Sequence, residues 1–241
     1  MLEIGPHELQ RVYATRFRER QPGRDRVWQV LARSFFQKWI ASDSVVLDLG
    51  AGYGEFLHYI RAGRKLGVDA NPQAPEFWEQ GIEAFHFDVT APWPLAPGSV
   101  DCVFTSNFFE HLSNKKALDQ CVGHILTVLK PGGRLIAVGP NIRRTGGAYW
   151  DFYDHYIPLT ERSLSELLLL KGFEIELCRA SFLPYSMSFA APFIVAKVYP
   201  LLLRIYLSMC PLWPLFGKQF LVVASRPRET APDMAKPLLR P

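Results

Sequence analysis

The residues best suited to chemistry cluster where short apolar runs end in glycine or acid. Val45-Val46-Leu47-Asp48-Leu49 runs into Gly50-Ala51-Gly52-Tyr53-Gly54, and a helical pattern follows from Glu55. Glycines at that place let the chain turn tightly and let a ligand lie close against the backbone. The next apolar run ends in Gly67-Val68-Asp69, where a carboxylate can accept hydrogen bonds from both hydroxyls of a ribose. A dinucleotide site wants GxGxxG spacing so that a pyrophosphate reaches a helix N-terminus, whereas here an acid leads an alternating Asp48-x-Gly50-x-Gly52-x-Gly54 series. A carboxylate disfavours an anion and favours a cationic, amine-bearing ligand through charge-assisted hydrogen bonds. Two histidines are placed to handle a proton: His111, in Asn107-Phe108-Phe109-Glu110-His111, and His155, in Asp151-Phe152-Tyr153-Asp154-His155-Tyr156. Imidazole is poised near neutral pH. A helix-capping or solvated-loop role explains the same residues without catalysis.

The elements that must position these groups alternate. Val45–Leu49, Lys65–Val68, Ala84–Phe87, Val100–Thr105 and Arg134–Val138 read as strands, separated by helical segments near 54–62, 74–80 and 114–129. Parallel neighbours need crossover helices, so the pattern predicts an α/β fold with a mostly parallel sheet and helices on both faces. Lys130-Pro131-Gly132-Gly133 reads as a stop and turn. Thr160 reads as the cap of a helix to Leu170, with Ser163 standing where a capping box wants Glu or Gln. Phe173–Cys178 and Phe220–Ala224 add two strands. Two helices over residues 7–40, broken at Gln21-Pro22-Gly23, precede the sheet. The expected organisation is a helical cap over 1–43, a main domain over 44–226 carrying a hydrophobic helical insertion at 182–217, and a flexible tail over 227–241.

Bulk properties narrow the class. The chain has 241 residues, 49% hydrophobic and 21% charged, which suits one large folded domain and excludes a polytopic membrane protein. The net charge of +4 is concentrated in arginines of the first forty residues, a distribution that suits an anionic partner or a solvated helix face. Cys102, Cys121, Cys178 and Cys210 lack metal-ligand spacing and read as reduced packing residues. With no secretory pattern at the N-terminus, the expected location is cytoplasmic. The insertion approaches a spanning length, but Pro192, Lys197, Pro200, Arg204, Pro211 and Pro214 interrupt it. It reads as a lid over the ligand site, a dimer surface or a peripheral membrane anchor, with lid or core packing the simplest of these.

The stretch Val45–Leu57 resembles motif I of the class I S-adenosylmethionine-dependent methyltransferases of the methyltransferase-11 type. Asp69, Phe87-Asp88-Val89, Val100–Leu112 and Leu129–Leu135 are similar to further segments of that family, in order. The resemblance implies a Rossmann-like seven-stranded sheet in the order 3-2-1-4-5-7-6 with the seventh strand antiparallel. It implies S-adenosyl-L-methionine as cofactor, bound by Asp48, Gly50, Ala51, Gly52, Tyr53, Asp69, Ala70, Asp88, Val89, Ser106 and Asn107. His155 and His111 are the expected catalytic residues. Some relatives place Glu-x-x-Glu-His after the fourth strand as a metal site; here Asn107 stands for the first carboxylate, so no required metal is expected. The segment 152–186 resembles methyltransferases of polysaccharide and glycolipid assembly, which implies a hydroxyl of a glycan, lipid-linked sugar or other small amphiphilic acceptor, without nucleic acid. N-methylation of a small molecule, a non-catalytic cofactor-binding scaffold and an NAD-dependent oxidoreductase are the alternatives, the last disfavoured by the loop spacing. Peripheral membrane contact and a homodimer stay open.

Overall fold

The computed structural model describes residues 22–185 and 193–228. The expected first helix over 7–20, the middle of the insertion and the tail beyond 228 lie outside the described residues.

Seven strands form one sheet: β1 (Val45–Leu49), β2 (Arg64–Val68), β3 (Ile82–Phe85), β4 (Val100–Ser106), β5 (Leu129–Pro140), β6 (Glu174–Arg179) and β7 (Gln219–Ser225). Their order is β3-β2-β1-β4-β5-β7-β6. β1 to β5 pair in parallel, and β7 runs antiparallel to both β5 and β6. Successive side chains along a strand alternate faces, and the core divides accordingly. Leu47, Leu49, Val103, Leu135, Ala137 and Val222 pack on one face, under Leu118, Val122 and Ile125 of the helix Lys115–Val128 and Leu164 and Leu168 of the helix Glu161–Leu170. Val46, Phe104, Ile136, Val138, Leu221 and Val223 pack on the other.

The helices are α1 (Pro22–Val30), α2 (Glu55–Tyr59), α3 (Lys115–Val128), the single turn α4 (Ile142–Thr145), α5 (Glu161–Leu170), α6 (Phe193–Ser208) and the short α7 (Trp213–Phe216). α1 continues into a π-helical segment at Leu31–Phe35 and a 3-10 turn at Phe36–Trp39. That change of pitch turns both Phe35 and Phe36 inward, where Phe36 meets Phe104 edge-on at 5.0 Å between ring centroids. Phe104 in turn stacks on Phe56 of α2 at 3.7 Å. The second half of the insertion joins this same face: Leu203 and Leu207, one helical turn apart, are buried with Trp213. Trp213 packs edge-on against Phe35 and Phe182. The Tyr206 hydroxyl donates to the Phe182 carbonyl at 2.5 Å. Leu201, Leu202, Ile205, Met209, Leu215 and Phe216 remain exposed. Among the described residues, no helix is long and apolar enough to cross a membrane.

Three local expectations change. Ser163 does complete a capping box: Thr160 accepts from the Ser163 amide while the Ser163 hydroxyl accepts from the Thr160 amide at 3.0 Å, a short side chain doing what Glu or Gln does elsewhere. Lys130-Pro131-Gly132-Gly133 is an excursion within β5, because Val100 pairs with Leu129 but Cys102 pairs with Arg134. Two backbone bonds of 2.8 Å to Arg226 hold its glycines in place. β3 also starts and stops two residues earlier than its apolar run suggests, since Phe87 follows the strand and packs against Trp93.

Candidate active site

The glycine loop is built where β1 leaves the sheet. The amides of Gly50 and Ala51 both donate to the Val68 carbonyl at 2.9 and 3.0 Å, which folds the loop back over the end of β2. Gly50 has φ +74°, and a Cβ there would stand 2.9 Å from the Phe108 ring, so both its conformation and its crowding demand glycine. Gly52 has φ +53° with nothing within 4 Å of where a Cβ would stand. Its carbonyl accepts from Trp78 Nε1 at 2.9 Å. Asp69, only 6% exposed, clasps the loop: one oxygen accepts from the Gly52 amide at 2.7 Å and the other from the Asn71 amide at 2.8 Å. A carboxylate offers about four lone-pair sites, so this clasp is compatible with accepting ribose hydroxyls as well.

Acidic charge converges at the same place. Asp48 is buried at 3% exposure, and burial pushes its carboxyl well above the usual carboxylate range, with the charges of Asp69 and Glu55 pushing the same way. Glu55, the first residue of α2, is ion-paired to Arg24 of α1. Tyr53 lies edge-on to Phe77 at 4.7 Å between centroids, and burial raises its phenol. Arg24 and Trp78 were not singled out as site residues from the sequence; Arg24 belonged to a basic stretch, and Trp78 to a segment read only as helix.

The remaining expected cofactor residues follow β2, β3 and β4. Ala70 is exposed beside Asp69. Asp88 is exposed, and its Oδ1 accepts from the amide and hydroxyl of Thr90 at 2.9 and 2.8 Å, bonds that hold its carboxyl below the usual range. Val89 packs against the core, and its carbonyl accepts from Trp93 Nε1. Ser106 ends β4. Asn107 has φ +53°, unusual for a residue other than glycine though asparagine tolerates it better than most. This local left-handed kink opens the turn that carries Glu110 and His111.

The two histidines expected to be catalytic are brought together, their rings 4.9 Å apart between centroids. The loop after β5 reaches back because the Tyr156 and Ile157 amides donate to the Glu110 carbonyl at 2.8 and 3.2 Å. His111 Nδ1 lies 2.9 Å from the Asp154 carbonyl and 3.2 Å from Asp154 Oδ2. His155 Nδ1 lies 2.9 Å from the Tyr149 carbonyl. A carbonyl only accepts, so each Nδ1 carries the proton and each Nε2 is the nitrogen with a lone pair to offer. His155 is also stacked on Phe152 and packed on Tyr149. Burial disfavours the charged form of His111, but the Asp154 bond and the Glu110 charge outweigh it and raise its pKa. Burial lifts the Glu110 carboxyl to about 7, and Glu110 Oε1 is buried without a hydrogen-bond partner. Asp151 and Tyr153, neighbours of His155 in the chain, face outward. Glu110, Asp154 and Tyr149 join the cluster through the tertiary approach of two loops, which their spacing in the chain does not announce.

Residues 47–137 match the family model described as a methyltransferase domain. The strand order and the glycine loop agree with that match. Over those residues the chain is similar to a methyltransferase domain, and its sheet has the fold of solved methyltransferases. A curated relative, the ribosomal RNA large subunit methyltransferase E of Methanoculleus marisnigri, is 34% identical over 114 residues, covering 40% of this chain and 55% of the relative. The chain thus spans little more than half the length of that relative. A methyltransferase solved in complex with the Trm112 activator of Haloferax volcanii superposes with a TM-score of 0.64 at 17% identity, covering 90% of this chain and 97% of that one. An S-adenosylmethionine-dependent methyltransferase from Archaeoglobus fulgidus gives 0.60 at 20% identity over 90% of this chain and 99% of that one. The name of the curated relative specifies ribosomal RNA. S-adenosylmethionine is the cofactor that goes with this domain, and the loop suits it: a sulfonium and an ammonium would relieve the buried carboxylates that crowd Asp48.

Proposed function

We propose that the chain is an S-adenosylmethionine-dependent methyltransferase whose acceptor is a hydroxyl group activated at His111 and His155. The observation that carries this reading is the pairing of two sites on one sheet edge. A carboxylate-rich glycine loop at the ends of β1 and β2 accompanies a histidine pair beyond the ends of β4 and β5, the edge where open α/β sheets place their ligands. When bound, the cofactor supplies an electrophilic methyl on its sulfonium centre. Asp69 would hold the ribose, Asp48 and the loop backbone the methionine end, and Asp88 and Val89 the adenine. In-line displacement depends mainly on alignment, and a hydroxyl acceptor must also lose a proton. Nothing comparable is required of an amine already neutral at working pH, so the histidine pair, His155 buried and His111 half-buried, favours oxygen over nitrogen as the methyl acceptor.

For the acceptor, a glycan, lipid-linked sugar or other small amphiphile is the preferred reading. The exposed apolar residues from Leu201 to Phe216 support it, since they suit an amphiphile or peripheral contact with a membrane. RNA is the second reading, favoured by the name of the curated relative. Calorimetric titration with S-adenosylmethionine, S-adenosylhomocysteine and NAD tests the cofactor. Micromolar binding of the first two, lost in Asp69→Ala, supports the proposal; binding of NAD alone overturns it. Transfer of labelled methyl to lipid-linked glycans or to RNA then separates the acceptor readings, and cofactor binding without turnover on any acceptor would leave a scaffold.

A further inference from the structure

Glu110, His111 and His155 each bring one ligand-type atom within 4.8 Å of the other two. The set combines residues 44 positions apart, so it exists only because the Glu110 carbonyl anchors the loop that carries His155. Three features distinguish it from a chance cluster. Both imidazoles have Nδ1 fixed by a backbone carbonyl, the arrangement by which a ligating histidine is held in one tautomer with Nε2 facing its ion. Glu110 is 2% exposed, and its Oε1 is buried without a hydrogen-bond partner, an expensive state for a carboxylate oxygen that a cation would satisfy. Asp154 adds a carboxylate behind His111 at 3.2 Å, completing a support of the kind that accompanies metal-bound histidine.

We infer that Glu110, His111 and His155 form a binding site for a divalent transition-metal ion such as zinc. Two imidazoles and one carboxylate suit zinc, iron or cobalt rather than magnesium, which prefers an all-oxygen octahedron. The sequence led to the expectation of no required metal, because Asn107 stands where a second carboxylate would complete a site for a hard cation, and this inference departs from it. The third ligand comes from another loop, and it is nitrogen. Metal–ligand bonds of about 2.0–2.1 Å place tetrahedral ligand atoms about 3.3 Å apart, so the three side chains would close by roughly 1.5 Å at most. Three protein ligands leave a coordination position open, as in catalytic rather than structural zinc sites. Resting on the proposed methyl transfer, the consequence is that an acceptor oxygen at that open position would be acidified by the ion and give up its proton more readily.

The site is tested without cofactor or turnover. The full chain is stripped with a chelator, and zinc is titrated in competition with a chromophoric chelator; cobalt gives an independent reading through its ligand-field absorption. One equivalent per chain is expected. Affinity should fall by ~100-fold or more in His155→Ala and in Glu110→Gln, because even supporting groups behind a ligand are worth 10–100-fold. His124→Ala, whose ring packs on Trp93 away from this cluster, should leave it unchanged. Cooperative thermal unfolding of each variant checks that it is folded, and Glu110→Gln, nearly isosteric, serves if His155→Ala is not. Substoichiometric binding, or zinc retained equally by wild type and both ligand variants, marks adventitious ions and overturns the inference. Zinc binding with no binding of S-adenosylmethionine would keep the metal site and refute the methyltransferase reading instead.

Discussion

Replacing Asp69 by alanine should impair the fold and the cofactor site together, by an amount the hydrogen bonds allow to be worked out. The carboxylate accepts from two backbone amides at 2.7 and 2.8 Å and is 6% exposed. Hydrogen bonds to a charged group contribute about 1.5–3 kcal/mol each, so removing both acceptors costs about 3–6 kcal/mol. Two effects reduce that figure. Gly52 is half-buried, so water can partly serve its amide, and loss of the Asp69 charge relieves Asp48, although burial is the larger cause of the Asp48 shift. A net loss of about 2–4 kcal/mol follows, which at about 2–4 °C per kcal/mol for a domain of this size lowers the thermal midpoint by roughly 10 °C. Urea unfolding should show a lower midpoint with an unchanged slope. Calorimetry should show cofactor affinity falling at least about 100-fold, the worth of two charge-assisted bonds to the ribose. An Asp69→Ala protein that melts within a degree or two of wild type would refute the view that this carboxylate clasps the loop.

Other outcomes can be set beside it. Gly52→Ala should cost about 1–2 kcal/mol, the strain of alanine in a left-handed conformation, whereas Gly50→Ala should cost more because its Cβ also meets the Phe108 side chain at 2.9–3.1 Å; urea unfolding of the pair measures the difference. Asp48→Asn should stabilise the cofactor-free protein at neutral pH while weakening cofactor binding. A carboxyl whose folded pKa is raised binds more protons folded than unfolded, so its contribution is full below about pH 4 and is lost as pH rises through the folded value; the variant should flatten that part of a stability-against-pH curve. Trp213→Ala should cost about 3–5 kcal/mol, since the indole lies 3% exposed among Phe35 and Phe182. Leu215→Ala, two residues on and 72% exposed, should stay within about 0.5 kcal/mol of wild type.

The sheet is legible in the sequence because each strand is a short apolar run ended by glycine, acid or a polar turn, and Asp48, Gly50 and Asp69 lie within the one β1-α2-β2 unit, whose geometry is local. The strand order came from resemblance to a family and agrees with the structure. What stayed hidden depends on contacts between distant segments. Glu110 read as a helix-turn residue because nothing near it in the chain shows that the amides of Tyr156 and Ile157 will dock on its carbonyl. The insertion was ambiguous for a similar reason. Leu203, Leu207 and Trp213 look no different from Leu201, Leu202 and Leu215 until the π-helical segment after α1 supplies Phe35 to the same core, where it meets Trp213. Ser163 was underrated because a two-atom side chain reaches the Thr160 amide only in the actual cap geometry.

The antiparallel strand has a consequence for the order in which the molecule can be completed. β7 is the last of the described strands in chain order, yet it sits inside the sheet, buried at every residue from Gln219 to Ser225 and bonded to β5 on one side and β6 on the other. Until it arrives, β5 ends the parallel half with an open, apolar edge, and β6 has no neighbour at all. A nascent chain therefore carries an adhesive sheet margin until β7 has been made. Closure must wait for β7 to enter between β5 and β6 and pair with both.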